Sequence, residues 1–159
     1  MSDQFDYHGR KPSRHLDGTR VFQSSEDQTR QREVAGRLER SLGCEIHELG
    51  PLDPIDWYFV LDDRLTAVGE LKCRSHEVDR YPDTFCSVRK WLALMMASTG
   101  LGVTGLYVVD FSDDTRLIPV NLIDASSNTV LRARRGRETY TELMIRIPIW
   151  DMIRPEEYV

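Results

Sequence analysis

One stretch constrains this chain more than any other. Ile55, Trp57, Tyr58, Phe59, Val60 and Leu61 form an aromatic and β-branched run that reads as a strand. Asp62-Asp63-Arg64 interrupts it with turn chemistry, because an Asp side chain bonds its own backbone and tolerates positive φ. Leu65 to Cys73 resumes with period-2 character, so the two runs are expected to pair as an antiparallel hairpin. A three-residue loop over 62–64 sets Leu61 opposite Leu65 and carries Asp56 opposite Glu70, with Cβ atoms about 4.5–5.5 Å apart. Lys72 then shares their face, while Leu71 turns the other way into the core. A loop one residue shorter would slip the register and weaken this geometry.

Two carboxylates forced together repel, and each raises the other's pKa unless a cation sits between them. An all-oxygen donor set suits a hard divalent ion, Mg2+ or Mn2+, with the Leu71 carbonyl as a third ligand. The Lys72 ammonium cannot ligate metal. It can orient and help deprotonate a water aimed at phosphorus, or stabilise charge that builds in the transition state. The chemistry that fits is metal-assisted phosphodiester hydrolysis.

Pro54-Ile55-Asp56, thirteen residues, then Glu70-Leu71-Lys72 resembles the PD-(D/E)XK nuclease superfamily. That superfamily includes type II restriction enzymes, phage exonucleases and archaeal Holliday-junction resolvases. The order helix, motif hairpin, helix, strand from about Gln28 to Phe111 is similar to its common core. The resemblance implies a restriction-endonuclease-like α/β fold, with a mixed sheet of about four to six strands flanked by two main helices. It also implies an Mg2+- or Mn2+-dependent DNA nuclease of phage or bacterial recombination, repair or DNA processing. Asp56, Glu70 and Lys72 would be catalytic, with metal at Asp56, Glu70 and the Leu71 carbonyl. Many members carry a glutamate on the preceding helix that completes the metal site, and Glu33 is the candidate here. The choice of DNA over RNA comes from the resemblance alone.

The flanking segments are read around that hairpin. A helix is expected from Ser24 or Ser25, where Ser25-x-x-Gln28 has capping-box form, to a stop at Gly43. Val34, Leu38, Ser41 and Leu42, flanked by Ala35, form its apolar stripe. Glu33 falls off that stripe, where Arg37 one turn on could pair with it, and Glu39 flanks the other side. Cys44 to Leu49 reads as a strand. Cys44-x2-His47 and Cys73-x2-His76 carry zinc-type residues, but positions i and i+3 of a strand point to opposite faces and no knuckle turn is present.

After the motif, a polar connection borders the expected site mouth, and its His76 and Tyr81 are candidate phosphate contacts. A second helix is expected from Asp83 or Thr84 to about Ser98, ended by Gly100 and burying Phe85, Val88, Trp91, Leu92, Met95 and Met96. Ser87-x-x-Lys90 resembles the substrate-contacting position that members place on this helix, although the wheel turns Lys90 away from the core. Val103 to Phe111 reads as a central strand and Arg116 to Val120 as its hairpin partner. Asn121 to Ala125 reads as a helical turn. Arg132, Arg134, Arg135 and Arg137 form the densest positive cluster and the best candidate for gripping DNA phosphates. Glu142 to Ile149 reads as a last strand, followed by a tail packed through Trp150 and Ile153.

The chain's 159 residues suit one domain, expected over 23–159 behind a flexible polar leader at 1–22. No apolar run reaches the length of a membrane span. Three scattered cysteines argue for free thiols in a reducing, cytoplasmic compartment. The net charge of −5 opposes tight non-specific nucleic-acid binding unless a local patch or a metal supplies attraction. Two other readings therefore stay open: a non-catalytic nucleic-acid-binding module on the same fold, and a protein-binding partner. Endo- or exonucleolytic action and homo-oligomerisation stay open as well.

Overall fold

The computed structural model describes residues 13–14, 20–21, 25–50, 53–134 and 140–158. Strands β1 (Ser13–Arg14) and β2 (Arg20–Val21) form a short antiparallel pair. The body is a five-stranded mixed sheet in the order β3 (Glu45–Glu48), β4 (Trp57–Leu61), β5 (Arg64–Cys73), β7 (Thr104–Asp110), β8 (Thr115–Pro119). β5 and β7 run parallel and the other neighbours antiparallel. A parallel pair needs a crossover connection, and helix α2 (Val88–Leu101) supplies it.

Alternation along the strands divides the core into two layers. Helix α1 (Ser25–Leu42) buries Val34, Ala35 and Leu38 against Trp57, Phe59, Ala67, Leu106, Val108 and Leu117. Leu42 is half-buried beside them, while Ser41 is exposed. The opposite sheet face presents Val68, Tyr107, Val109 and Ile118 to α2. Glu70 lies two residues after Val68 and therefore faces α2. Leu71 packs on the α1 side.

The motif hairpin reaches the expected register by an unexpected route. Its loop has two residues, not three: Asp62 and Asp63 both have positive φ (50° and 57°), and Leu61 pairs with Arg64. Those are the dihedral signs of a type I′ turn, whose twist matches that of the strands. Alone, it would slip the register by one. A bulge between Phe59 and Val60 absorbs the slip, because Val60 pairs with Leu65 but Phe59 with Ala67. Thr66 is the extra residue, and its hydroxyl donates to the Phe59 carbonyl at 3.2 Å. Trp57 then meets Gly69, and Asp56 follows just beyond this last pair.

The second helix begins later than expected. Asp83–Ser87 is strand β6, with Thr84 and Cys86 buried on one side, and α2 starts at Val88 with Ser87 as its N-cap. It ends at Gly102, whose φ of 67° is the left-handed cap conformation, and Gly100 lies inside it. Its buried face is also rotated from the expected one. Leu94 and Ser98 are buried, whereas Leu92 is 46% and Met96 74% exposed. The helix approaches the sheet through small residues. A Cβ on Gly105 of β7 would lie 3.3 Å from the Leu94 carbonyl and from Ser98 Cβ. Turning the helix this way places Lys90, one turn before Leu94, toward the sheet.

A second sheet, which the sequence reading lacks, pairs β10 (Tyr140–Pro148) with both β6 and β9 (Thr129–Arg134) in the order β6-β10-β9. A 3-10 turn at Val120–Leu122 and the short helix α3 (Ala125–Asn128) precede β9. In the tail, Ile153 exchanges both backbone hydrogen bonds with Leu117, and Met152 is buried. Trp150, expected to anchor this tail, is 75% exposed. Among the described residues no helix is long and apolar enough to cross a membrane.

Candidate active site

The site forms where β4 begins beside the second half of β5. Asp56 precedes β4, and its amide still donates to the Gly69 carbonyl at 3.0 Å. Its Oδ2 accepts the Leu71 N–H at 2.9 Å, which pins the carboxylate across the strand. A strand residue's N–H and C=O point to the same side, so the Leu71 carbonyl faces the Asp56 side too. Glu70 is buried at 8% exposure, on the α2 face. Burial, reinforced by the nearby Asp56 charge, pushes its carboxyl up to about 8, although Lys90 opposes the shift.

Lys90 is the cation between them. Its Nζ lies 2.9 Å from Glu70 Oε1, 3.0 Å from Oε2 and 3.9 Å from Asp56 Oδ1, and it donates to the Pro54 carbonyl at 3.3 Å. The helical wheel drawn from residue 83 turned this lysine away. The observed start at Val88 and the Leu94–Ser98 face bring it in.

Lys72 is half-buried and lines, with Glu70 and Lys90, a cavity of about 340 Å3 between the main sheet and the second sheet. Arg74, Arg89 and Arg132 add positive charge to its wall, offset by Glu142. The Arg132 guanidinium stacks 4.1 Å over the Phe85 ring. Arg74 donates to the Phe85 carbonyl at 3.2 Å, and Tyr107 Oη donates to the same oxygen at 3.0 Å. Arg89 and Tyr107 escape a motif search because neither belongs to a pattern. Glu70-x-Lys72, Ser87-x-x-Lys90 and the arginine run from Arg132 are the signals that point toward this wall.

Other candidates lie elsewhere. Tyr81 is 51% exposed and stacks edge-on against His76, away from the cavity wall. The side chain of Arg134, and Arg135 and Arg137 entirely, lie outside the described residues. Glu33 is exposed on α1 and lines a different cavity, so the structure does not bring it to Asp56 and Glu70. Glu39 instead accepts the Ile46 N–H at 2.8 Å. That second cavity holds an ion cluster the sequence reading missed. Buried Asp110 binds Arg30 at 2.9 Å and Arg37 at 2.7 Å, and Arg30 also donates to the Arg74 carbonyl at 2.8 Å. The cluster ties α1 to the ends of β5 and β7.

Among the described residues, no three His, Cys, Asp or Glu side chains are grouped to hold a metal. The zinc-type pairs do not converge, and burial pushes the Cys86 thiol up to about 12, which leaves it a poor nucleophile. What converges is two carboxylates around a cation. That donor set fits a hard divalent ion, with backbone oxygen and water completing its shell.

A family model described as "Phage putative PDDEXK endonuclease" matches residues 19–154. The chain belongs to this family. Asp56 and Glu70-x-Lys72, whose order and spacing resemble the PD-(D/E)XK pattern, lie on the hairpin described above. Hjc, a Holliday junction resolvase from the archaeal hyperthermophile Archaeoglobus fulgidus, has a similar solved structure. The TM-score is 0.58 at 14% identity, over 84% of this chain and 95% of that one. The likeness is one of fold, and the restriction-endonuclease-like α/β architecture expected from the sequence is the one present. No curated protein matches the chain.

Proposed function

We propose that this PDDEXK family member is a divalent-metal-dependent DNA nuclease, with Mg2+ or Mn2+ held by Asp56, Glu70 and the Leu71 carbonyl. One observation carries the reading: two carboxylates, one just before β4 and one on β5, converge on a single cation position, at the wall of a cavity rich in lysine and arginine. A bound divalent ion would lower the pKa of a water and neutralise phosphate charge. The remaining work falls to side chains. Lys72 directs the water toward phosphorus and stabilises the hydroxide it becomes, and the water's proton passes to solvent. The water oxygen forms the new bond to phosphorus as the bond to the leaving sugar oxygen breaks, and a proton from solvent completes the leaving hydroxyl. Arg132, with Arg134, Arg135 and Arg137 further along, grips the phosphate backbone, and Arg74 and Arg89 assist from the cavity wall.

This local positive wall answers the difficulty posed by the acidic chain as a whole. A role in phage or bacterial DNA processing, in the cytoplasm, accords with the family description and with the free cysteines.

A second reading draws on the Lys90 contacts. In a binding-only protein, that ammonium would be a permanent ion-pair partner for the two carboxylates. Calorimetric titration with Mn2+ separates the two. The nuclease reading expects binding by wild type that Asp56→Ala abolishes, and no binding at millimolar metal would favour the binding module.

A further inference from the structure

The Lys90 ammonium has the surroundings of a bound ion rather than of a surface lysine. The partners of its hydrogen bonds and ion pairs are oxygens: both Glu70 carboxylate oxygens, Asp56 Oδ1 and the Pro54 carbonyl. A hard cation collects the same kind of shell. The placement is also unfavourable by itself. Lys90 is the third residue of α2, where the helix N-terminus repels positive charge. The carboxylates must hold it there, and a flexible four-carbon stem that remains 21% exposed leaves it able to move.

We propose that Lys90 is a tethered stand-in for the divalent cation. It holds Asp56 and Glu70 together while no ion is bound, competes with the ion for them, and is released on its arrival toward the cavity, where it contacts a substrate phosphate. The proposal rests on the metal-dependent reading above. Charge makes the two occupants exclusive. With both carboxylates ionised, one ammonium leaves one negative charge, which draws a divalent ion in. Once the ion is bound, an ammonium at the same oxygens faces a like charge at close range. Its stem already runs along the cavity shared with Arg74, Arg89 and Arg132, so release needs rotation of the side chain rather than movement of the helix.

The test is Mn2+ affinity, measured by calorimetry on the full chain, in buffer alkaline enough that a shared proton does not replace the ammonium. Lys90→Met keeps the stem and removes the charge. Lys90→Gln keeps a donor toward Glu70 and serves if the methionine variant folds poorly by circular dichroism. Both should bind Mn2+ about tenfold or more tightly than wild type, a gain of about 1.4 kcal/mol. Their Tm should also rise further than wild type's on adding Mn2+, because the metal-free variants have lost their internal cation. Equal or weaker Mn2+ binding by a folded variant overturns the competition and leaves the metal site standing. No binding by wild type or variant overturns the metal site and the competition together.

Discussion

The Asp56 carboxylate takes the place of a backbone carbonyl for Leu71. It lies beyond the last β4–β5 pair, Trp57 with Gly69, and Oδ2 accepts the Leu71 N–H at 2.9 Å. Its two oxygens thus divide the work: Oδ2 extends the ladder and Oδ1 faces the cation position. The hydrogen bond and the charge can be separated. Asp56→Asn keeps an acceptor for Leu71 and should match wild type within about 0.5 kcal/mol in urea unfolding, while Asp56→Ala should lose about 1 kcal/mol. Neither should bind a divalent ion.

Glu70 makes the metal-free protein sensitive to pH in a defined direction. Its folded pKa, about 8, lies above the ordinary 4.5, so the folded state holds this proton longer than the unfolded chain does. The resulting stabilisation is complete below the ordinary value and is lost as pH rises through the folded one. Urea midpoints of metal-free wild type should therefore fall between about pH 5 and pH 8. Glu70→Gln, which cannot ionise, should flatten that decline. An equal decline in the variant would assign it to other groups.

The type I′ turn carries a cost that sequence design would avoid. Asp62 and Asp63 both sit at positive φ, a region that favours glycine or asparagine. Asp63→Gly relieves one of them without touching the site. It should raise stability by about 0.5–1 kcal/mol, read as a rise in Tm, with metal affinity unchanged.

How much of this was legible follows from which forces act locally. The hairpin was readable because strand propensity and turn chemistry are properties of neighbouring residues. Asp56 and Glu70 come together although the loop is shorter than expected, because the bulge at Thr66 and the shorter turn cancel. Nothing in the sequence marks that bulge. Asp83–Ser87 reads as helix in the sequence because Phe85 and Val88 fit a helical stripe. Only pairing with β10, more than fifty residues on, makes it a strand. The misplaced start then turned the wheel of α2. Large Leu92 and Met96 suggested a buried face, while the close approach at Gly105 selects Ser98 and Leu94. A wheel drawn from that start turns Lys90 to solvent. Glu33 was proposed from the resemblance, and no contact in the fold draws it to the pair.

The proposed metal-dependent cutting site consists of Asp56, Glu70 and Lys72. Its most direct test is digestion of linear, circular, single-stranded and branched DNA with Mg2+ or Mn2+, by wild type, Asp56→Ala and Lys72→Ala. Wild type should cleave at least one substrate only when metal is present, and both folded variants should lose about 10²-fold or more of that rate. Cleavage that persists undiminished in Asp56→Ala, or in wild type stripped of metal by chelator, would contradict it.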